Sequence, residues 1–461
     1  MITAAVSLPF EILFENFVCG FIFCVVCGWI FGLLTGMIPG IHVNNIAVIL
    51  ASAAAFLYGF GLSPVLLSAV ILSCAVSHTF HNIIPAIFLG APGEETVFAV
   101  LPGHKLLIAG EGLPAVRLSA LGSAAAVIFS FLMILPTAFF LSRFYPLLET
   151  KMGFILLALS LIVLLSEKKI SKIISATIVF LTAGVLGVIA FEMDGSLTPV
   201  LLSSSASVLM PLLGGLFGVP QLIISLFSKS EIYDVHETGL NFSNKLFLKN
   251  AVLGTAAGAF VSWIPGVSSS VAAILAGFFK KNDFDETGGD FHESPDSLNV
   301  EISHSKEYIV IVSAINTANA VFGLLAFFII GKSRNGAVVS IRDILSAAGF
   351  PLSNGFSGEM LELFILFYAV IMISAFFSYF STIYVGKIIP EIFQKIDYRK
   401  ISAFVLLLLT LLIFLMSGSY GLILFAVSVF IGFLPVVLHV RKSNLMGVIL
   451  FPVMLYFLGL R

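Results

Sequence analysis

The chain has 461 residues, 59% of them hydrophobic and only 10% charged, with a formal net charge of −2 and a mean hydropathy of +1.11. Soluble globular domains carry roughly 25% charged residues, so a soluble domain is excluded, and an evenly spread, near-neutral charge offers no basic face for nucleic acid. Apolar runs near the ~20 residues that span a bilayer recur along the whole length, most clearly at 17–37, 41–60, 401–416 and 422–440. The composition predicts an all-α polytopic membrane protein.

In chain order, no Lys or Arg precedes the first apolar run, so the N-terminus lacks the charged start of a secretory signal peptide and reads as part of the mature protein. A first hairpin spans 17–60 and contains the stretch "GLLTGMIPGIHVNN". Cys19, Cys24, Cys27 and Cys74 all lie in apolar segments and read as small hydrophobes rather than disulfide partners. Five spans follow, near 62–90, 114–142, 152–166, 173–191 and 197–227, completing a first transmembrane repeat over 1–227. The first of them runs into "SHTFHNIIPAIFLGAPGEETVF", with His78 and His81 on one helical face, then Pro92-Gly93 and the acids Glu94 and Glu95. Ionisable groups at membrane depth are functional candidates by default, while acids in "APGEET" equally suit a turn that caps the next helix.

A polar connector, 228–249, leads into a second repeat over 250–461, with a hairpin at 250–279 and an acidic, glycine-rich loop at 280–307 that reads as a solvated linker. The next helix carries Asn316, Thr317 and Asn319 in "SAINTANAVFGLL". These are neutral ligands for a cation or a small solute, or hydrogen-bonding groups between packed helices. Positive charges cluster at 105–117, 168–172, 387–400 and 441–442, and placing them on the cytoplasmic side makes the N-terminus external. Lys332, Arg334 and Arg342 run against that count.

The two hairpins look like copies of one device. Pro39-Gly40 and Pro265-Gly266 stand 226 residues apart, and at that offset Gly28 meets Gly254, Gly32 meets Gly258 and Ile38 meets Ile264. The odd number of intervening spans turns the second copy upside down, giving two inverted-topology repeats with about ten spanning helices and two hairpins. Inverted repeats with broken helices are characteristic of secondary transporters. Proline ends one helix, glycine permits the turn, and the next helix presents free N–H groups and a partial positive charge to an anion. Pro39, Gly40, His42, Asn44, Asn45, Pro92, Gly93, Pro265, Gly266, Ser268, Ser269 and Ser270 are thus the candidate substrate-binding residues, and His78, Glu94, Asn316, Thr317 and Asn319 the candidate ion-coupling residues.

The duplicated small-residue helix ending in Pro-Gly, "LGAPGEE" in the first half and "NTANAVF…IGKSRNGA" in the second together resemble the TctA-type permease, the large membrane subunit of tripartite tricarboxylate transporters, in an archaeal-like branch. Pro39, Gly40, Pro92, Gly93, Pro265, Gly266, Asn316 and Asn319 carry the match over nearly the whole chain. The tip residues His42, Asn44 and Asn45, and a less glycine-rich "SWIPGVSSS", depart from the bacterial pattern. The resemblance implies ion-driven uptake of carboxylates such as citrate, with a small membrane subunit and an extracellular binding protein as partners. The expectation is a secondary active transporter of a small organic anion in the cell membrane, with Na+ or H+ as coupling ion, no other cofactor, and alternating access by movement of one repeat against the other. A homodimer is compatible with this, although no residue argues for it. Two other classes remain open at this point. One is a carrier of a lipid-linked anion such as a polyprenyl phosphate. The other is an intramembrane metal enzyme using His42, His78, His81, His104 and Glu94, which lacks any tight ligand spacing.

Overall fold

A computed structural model describes residues 16–38, 43–88, 96, 99–167, 169–200, 208–227, 240, 242–267, 269–279, 295–332, 335–350, 352, 355–356, 358–395 and 398–460. The described chain is helical throughout, without strands. The first half contributes α1 (Phe17–Met37), α2 (Val43–Ser52), α3 (Ala54–Tyr58), α4 (Pro64–His81), α5 (Ile83–Phe88), α6 (Val100–Ile108), α7 (Gly112–Thr150), α8 (Met152–Leu165), α9 (Ile170–Glu192), α10 (Leu209–Leu213) and α11 (Val219–Phe227). The second contributes α12 (Asn244–Val261), α13 (Ser269–Phe279), α14 (Pro295–Ile330), α15 (Gly336–Ala347), α16 (Gly358–Lys395), α17 (Tyr398–Leu438) and α18 (Gly447–Phe457). Among the described residues, seven helices are long and apolar enough to cross a membrane, and shorter apolar helices lie at Met152–Leu165, Leu209–Ile224 and Lys442–Phe457. The protein is an all-α polytopic membrane protein, as its composition requires.

Local sequence sets the breaks. Ser63 caps α4 by accepting from Leu66 N–H (3.3 Å), with Pro64 preset for the first turn. Helix α1 ends where Ile38 turns extended, and α12 ends in a turn through Pro265 and Gly266, the glycine taking φ +73°. Between the apolar runs 401–416 and 422–440 the chain does not open into a loop: within α17 only Gly418 leaves helical geometry (φ 68°, ψ −162°), against the Thr198 carbonyl.

Small residues let helices approach in two matching sets. A methyl placed on Gly28 would meet the Val70 carbonyl and Ser73 Cβ (2.7 Å), while one on Gly254 would meet the Ile311 carbonyl and Ala314 Cβ (2.8 Å). One turn on, Gly32 faces Ser77 Cβ (2.5 Å) and His78 N (2.9 Å), and Gly258 faces Ala318 Cβ (2.8 Å) and Asn319 N (3.1 Å). Helix α1 therefore sits on α4 as α12 sits on α14, residue for residue, with His78 and Asn319 as mates. The correspondence continues toward the chain ends. Gly187 abuts the Val448 carbonyl and Gly447 the Phe180 carbonyl, while Gly432 abuts the Leu216 carbonyl (2.5 Å) and Gly215 the Phe425 carbonyl (2.8 Å). The last helical segment of each half thus packs on the other half, α18 on α9 and α10–α11 on α17.

The mates α4 and α14 run antiparallel. Glu111 pairs with Lys306 and Ser119 Oγ lies 2.7 Å from Ser313 Oγ, so α7 and α14 run the same way. Tyr368 donates to the Val127 carbonyl (2.9 Å) while a methyl on Gly386 would meet Val116 Cγ1 (2.8 Å), so α16 opposes α7. Ser374 donates to the Ser73 carbonyl (2.9 Å) and Ser381 Oγ meets His81 Nε2 (2.8 Å), so α4 follows α16 and opposes α14. An inverted repeat requires this arrangement. The apolar stretches of α4 and α14 are the most enclosed, 89% buried in each, against 28% in α17; the two mates form the centre, and α17 is the most exposed of the long helices.

Extensive helix–helix packing falls into two groups, the chain-adjacent α7–α8 joint apart. One bundle holds α1–α7 with α12–α16, and the other holds α8–α11 with α17 and α18. Each bundle draws on both repeats. All four cysteines are free, with Cys24 and Cys74 buried and Cys19 exposed.

Candidate functional site

The end of α1 and the second Pro-Gly tip lie where the bundles meet. Ile38, entering the first tip, packs with Leu222 of α11 and Leu409 of α17. A methyl placed on Gly266 of the second tip would lie 3.1 Å from Ile449 Cγ2 of α18. Trp263 anchors that tip within its own bundle, its ring 6.2 Å from both Phe140 and Tyr145 of α7. The apolar tryptophan and the buried Pro265 hold the turn, and α13 begins immediately beyond it with Ser269.

Beside the start of α13, α4 and α14 cross with a concentration of polar side chains. Thr79 Oγ1 donates to the Val76 carbonyl (2.8 Å) and lies 3.2 Å from Thr317 Oγ1. Asn316 Nδ2 donates to Asn82 Oδ1 (3.5 Å), and Asn316 Oδ1 is buried with no hydrogen-bond partner among the described residues. Asn319 Nδ2 donates to Ser269 Oγ (3.3 Å), tying the central helix to the start of α13. On the opposite side His78 Nδ1 lies 3.1 Å from Thr35 Oγ1 of α1.

His78, Ser269, Asn316, Thr317 and Asn319 therefore gather around one crossing, and the substrate-tip and ion-coupling expectations meet at the Asn319–Ser269 bond. Asn44 makes a different contact: its Oδ1 accepts from Ala337 N–H (3.2 Å), serving the orphan donors at the start of α15 beside Asn335, which caps Val338. His81 has Nδ1 donating to the Ser77 carbonyl (2.7 Å) and Nε2 at 2.8 Å from Ser381, which also accepts from the Trp29 indole (3.1 Å). Pro39, Gly40, His42, Pro92, Gly93, Glu94 and Ser268 lie outside the described residues, as do the side chains of Asn45 and Ser270. Among the described residues no three His, Cys, Asp or Glu side chains gather as a metal centre would require.

The glycine contacts make Asn319 the mate of His78 and Phe322 the mate of His81. Asn316 and Thr317 lie opposite Asn82 and Thr79. Sequence reasoning passes over Thr79 and Asn82 as site residues, although they share a helical face in the same stretch as His78. Thr35 and Ser381 carry no local signal, because their partners lie on other helices.

A membrane protein built from duplicated, antiparallel units, with a broken-helix tip at a bundle boundary, has the architecture of a transporter. A family comparison agrees in substance: residues 22–447 match the tripartite tricarboxylate transporter TctA family. The chain belongs to that family, and so is a multi-pass membrane component of a transporter that works with partner subunits. It is also similar to the uncharacterized protein MJ1079 of Methanocaldococcus jannaschii, 28% identical over 433 residues that cover 91% of this chain and 94% of the relative. No solved structure matches the chain.

Proposed function

We propose that the protein is a secondary active transporter of a small organic anion, a di- or tricarboxylate, driven by a Na+ or H+ gradient across the cell membrane. The observation that carries this reading is the second tip, where a buried Pro-Gly turn leads into the N-terminus of α13 at the boundary between bundles. A helix N-terminus at that depth suits a carboxylate, and irregular backbone there is tolerated where it lines a cavity. The duplicated first tip supplies the opposing half of the site. Because each bundle contains both repeats, the moving unit in this reading is the first bundle against the second, rather than one repeat against the other. The tips, which in this reading face the second bundle, then travel with the solute. The N-terminus external to the cell, a small membrane subunit and an extracellular binding protein complete the proposal.

The test is uptake of radiolabelled citrate, succinate and related acids into liposomes holding the purified protein, with and without inward Na+ or pH gradients. Gradient-driven uptake that disappears in a folded Ser269→Ala, Gly266→Val variant supports the reading. Absence of uptake of every acid by folded protein, with the extracellular binding protein supplied, overturns it.

A further inference from the structure

The α4–α14 crossing contains more oxygen than its packing uses, and the hydroxyl protons locate the surplus. Thr79 gives its hydroxyl proton to the Val76 carbonyl (2.8 Å), so in its contact with Thr317 it accepts, and Thr317 donates. Both hydroxyl oxygens retain lone pairs. Asn82 Oδ1 accepts a long bond from Asn316 (3.5 Å), and Asn316 Oδ1 has no donor among the described residues although Asn316 is 2% exposed. A buried amide oxygen without a partner is destabilising, a penalty that a ligand offering positive charge would remove.

The internal symmetry argues that this cluster is not demanded by the fold. The residues that the duplication makes mates of Thr79, Asn82, Asn316 and Thr317 are Ala320, Gly323, Ala75 and Val76, which bring no side-chain oxygen. The same helix crossing is therefore built with apolar and small residues on one side of the pseudo-symmetry axis and with four oxygen-bearing side chains on the other. Packing alone accepts either.

We infer that Thr79, Asn82, Asn316 and Thr317 form a single binding site for a monovalent cation of Na+ size. The donor set is hard, neutral oxygen. Divalent cations draw on carboxylates, and none is among these four. Amide and hydroxyl oxygens compensate a single charge without leaving a buried anion when the ion departs. Asn319, one turn from Asn316, bonds Ser269 at the start of α13, so occupancy would set the α14 turn that holds the second tip. The inference rests on the transport reading for its purpose and on the oxygen geometry for its chemistry.

The experiment is direct binding of radiolabelled Na+ to the full-length protein in lipid nanodiscs, without any carboxylate, beside melting curves in Na+, K+ and choline. Wild type is expected to bind one Na+ per chain and to melt higher in Na+ than in choline. Thr317→Val, which keeps the shape and removes the oxygen, should weaken binding about tenfold or more, Asn316→Ala likewise, and Thr317→Ser should restore it. Ser313→Ala, which disturbs only the contacts with α7, should bind as wild type. No Na+ binding by folded wild type, or unchanged binding in Thr317→Val, overturns the site. Should Asn316→Ala not fold, the Thr317 pair alone decides. Na+ binding that behaves as expected in a protein that moves no carboxylate rejects the proposed substrate and leaves the site standing.

Discussion

His81 is fully buried, yet both of its ring nitrogens are engaged, by the Ser77 carbonyl and by Ser381. A histidine so fixed holds helices together and is poorly placed to carry protons. His81→Gln is therefore expected to lower the melting temperature, by the equivalent of the roughly 1–3 kcal/mol that a stranded buried polar group costs, and to leave the pH profile of uptake unmoved. A shifted profile would make His81 a proton carrier instead. Asn44 acts at the same scale. Its bond to Ala337 N–H resembles a helix cap supplied from another element, so Asn44→Ala should cost about 1 kcal/mol of stability, read as a lower melting temperature.

Among the elements, the arms α1 and α12 depend on glycine because no side chain fits where they touch α4 and α14. Gly258→Leu would drive a side chain into Ile315 and Ala318, whose atoms already lie 2.7–2.8 Å from the position of a first carbon. Overpacking of this kind costs about 1–3 kcal/mol, and helix association in lipid relies on such close approach. Gly277→Ala, with nothing within 4 Å, is the matched control and should melt as wild type. If the two variants melt alike, the α12–α14 contact is not what holds the hairpin. The second tip makes a separate demand: Gly266 at φ +73° disfavours any residue with a Cβ by about 1–2 kcal/mol.

For the whole molecule, the division into two bundles makes a prediction about motion. After replacement of Cys19, Cys24, Cys27 and Cys74, a short thiol cross-linker joining Ile38→Cys to Leu222→Cys would tie the first tip to the second bundle and should abolish uptake. Joining Ser119→Cys to Ser313→Cys, within the first bundle though across the repeats, should leave uptake intact. The opposite result, arrest by the second pair and tolerance of the first, would mean that the repeats themselves move against each other.

The class of protein, the matching glycine arms and the break at Pro265-Gly266 were legible in the amino-acid order, because these rest on local physics: hydropathy over a span's length, glycine at four-residue spacing, and proline followed by glycine. His78, Asn316, Thr317 and Asn319 were likewise visible as polar groups in apolar surroundings. Their partners were not. That Thr79 faces Thr317, that Asn44 serves the start of α15, that His81 is mated with Phe322, and that the last helix of each half crosses to the other emerge only from the folded chain. The physical reason is that antiparallel crossing of two mates brings together residues more than two hundred positions apart, and the register of that crossing is fixed by which glycine admits which neighbouring helix.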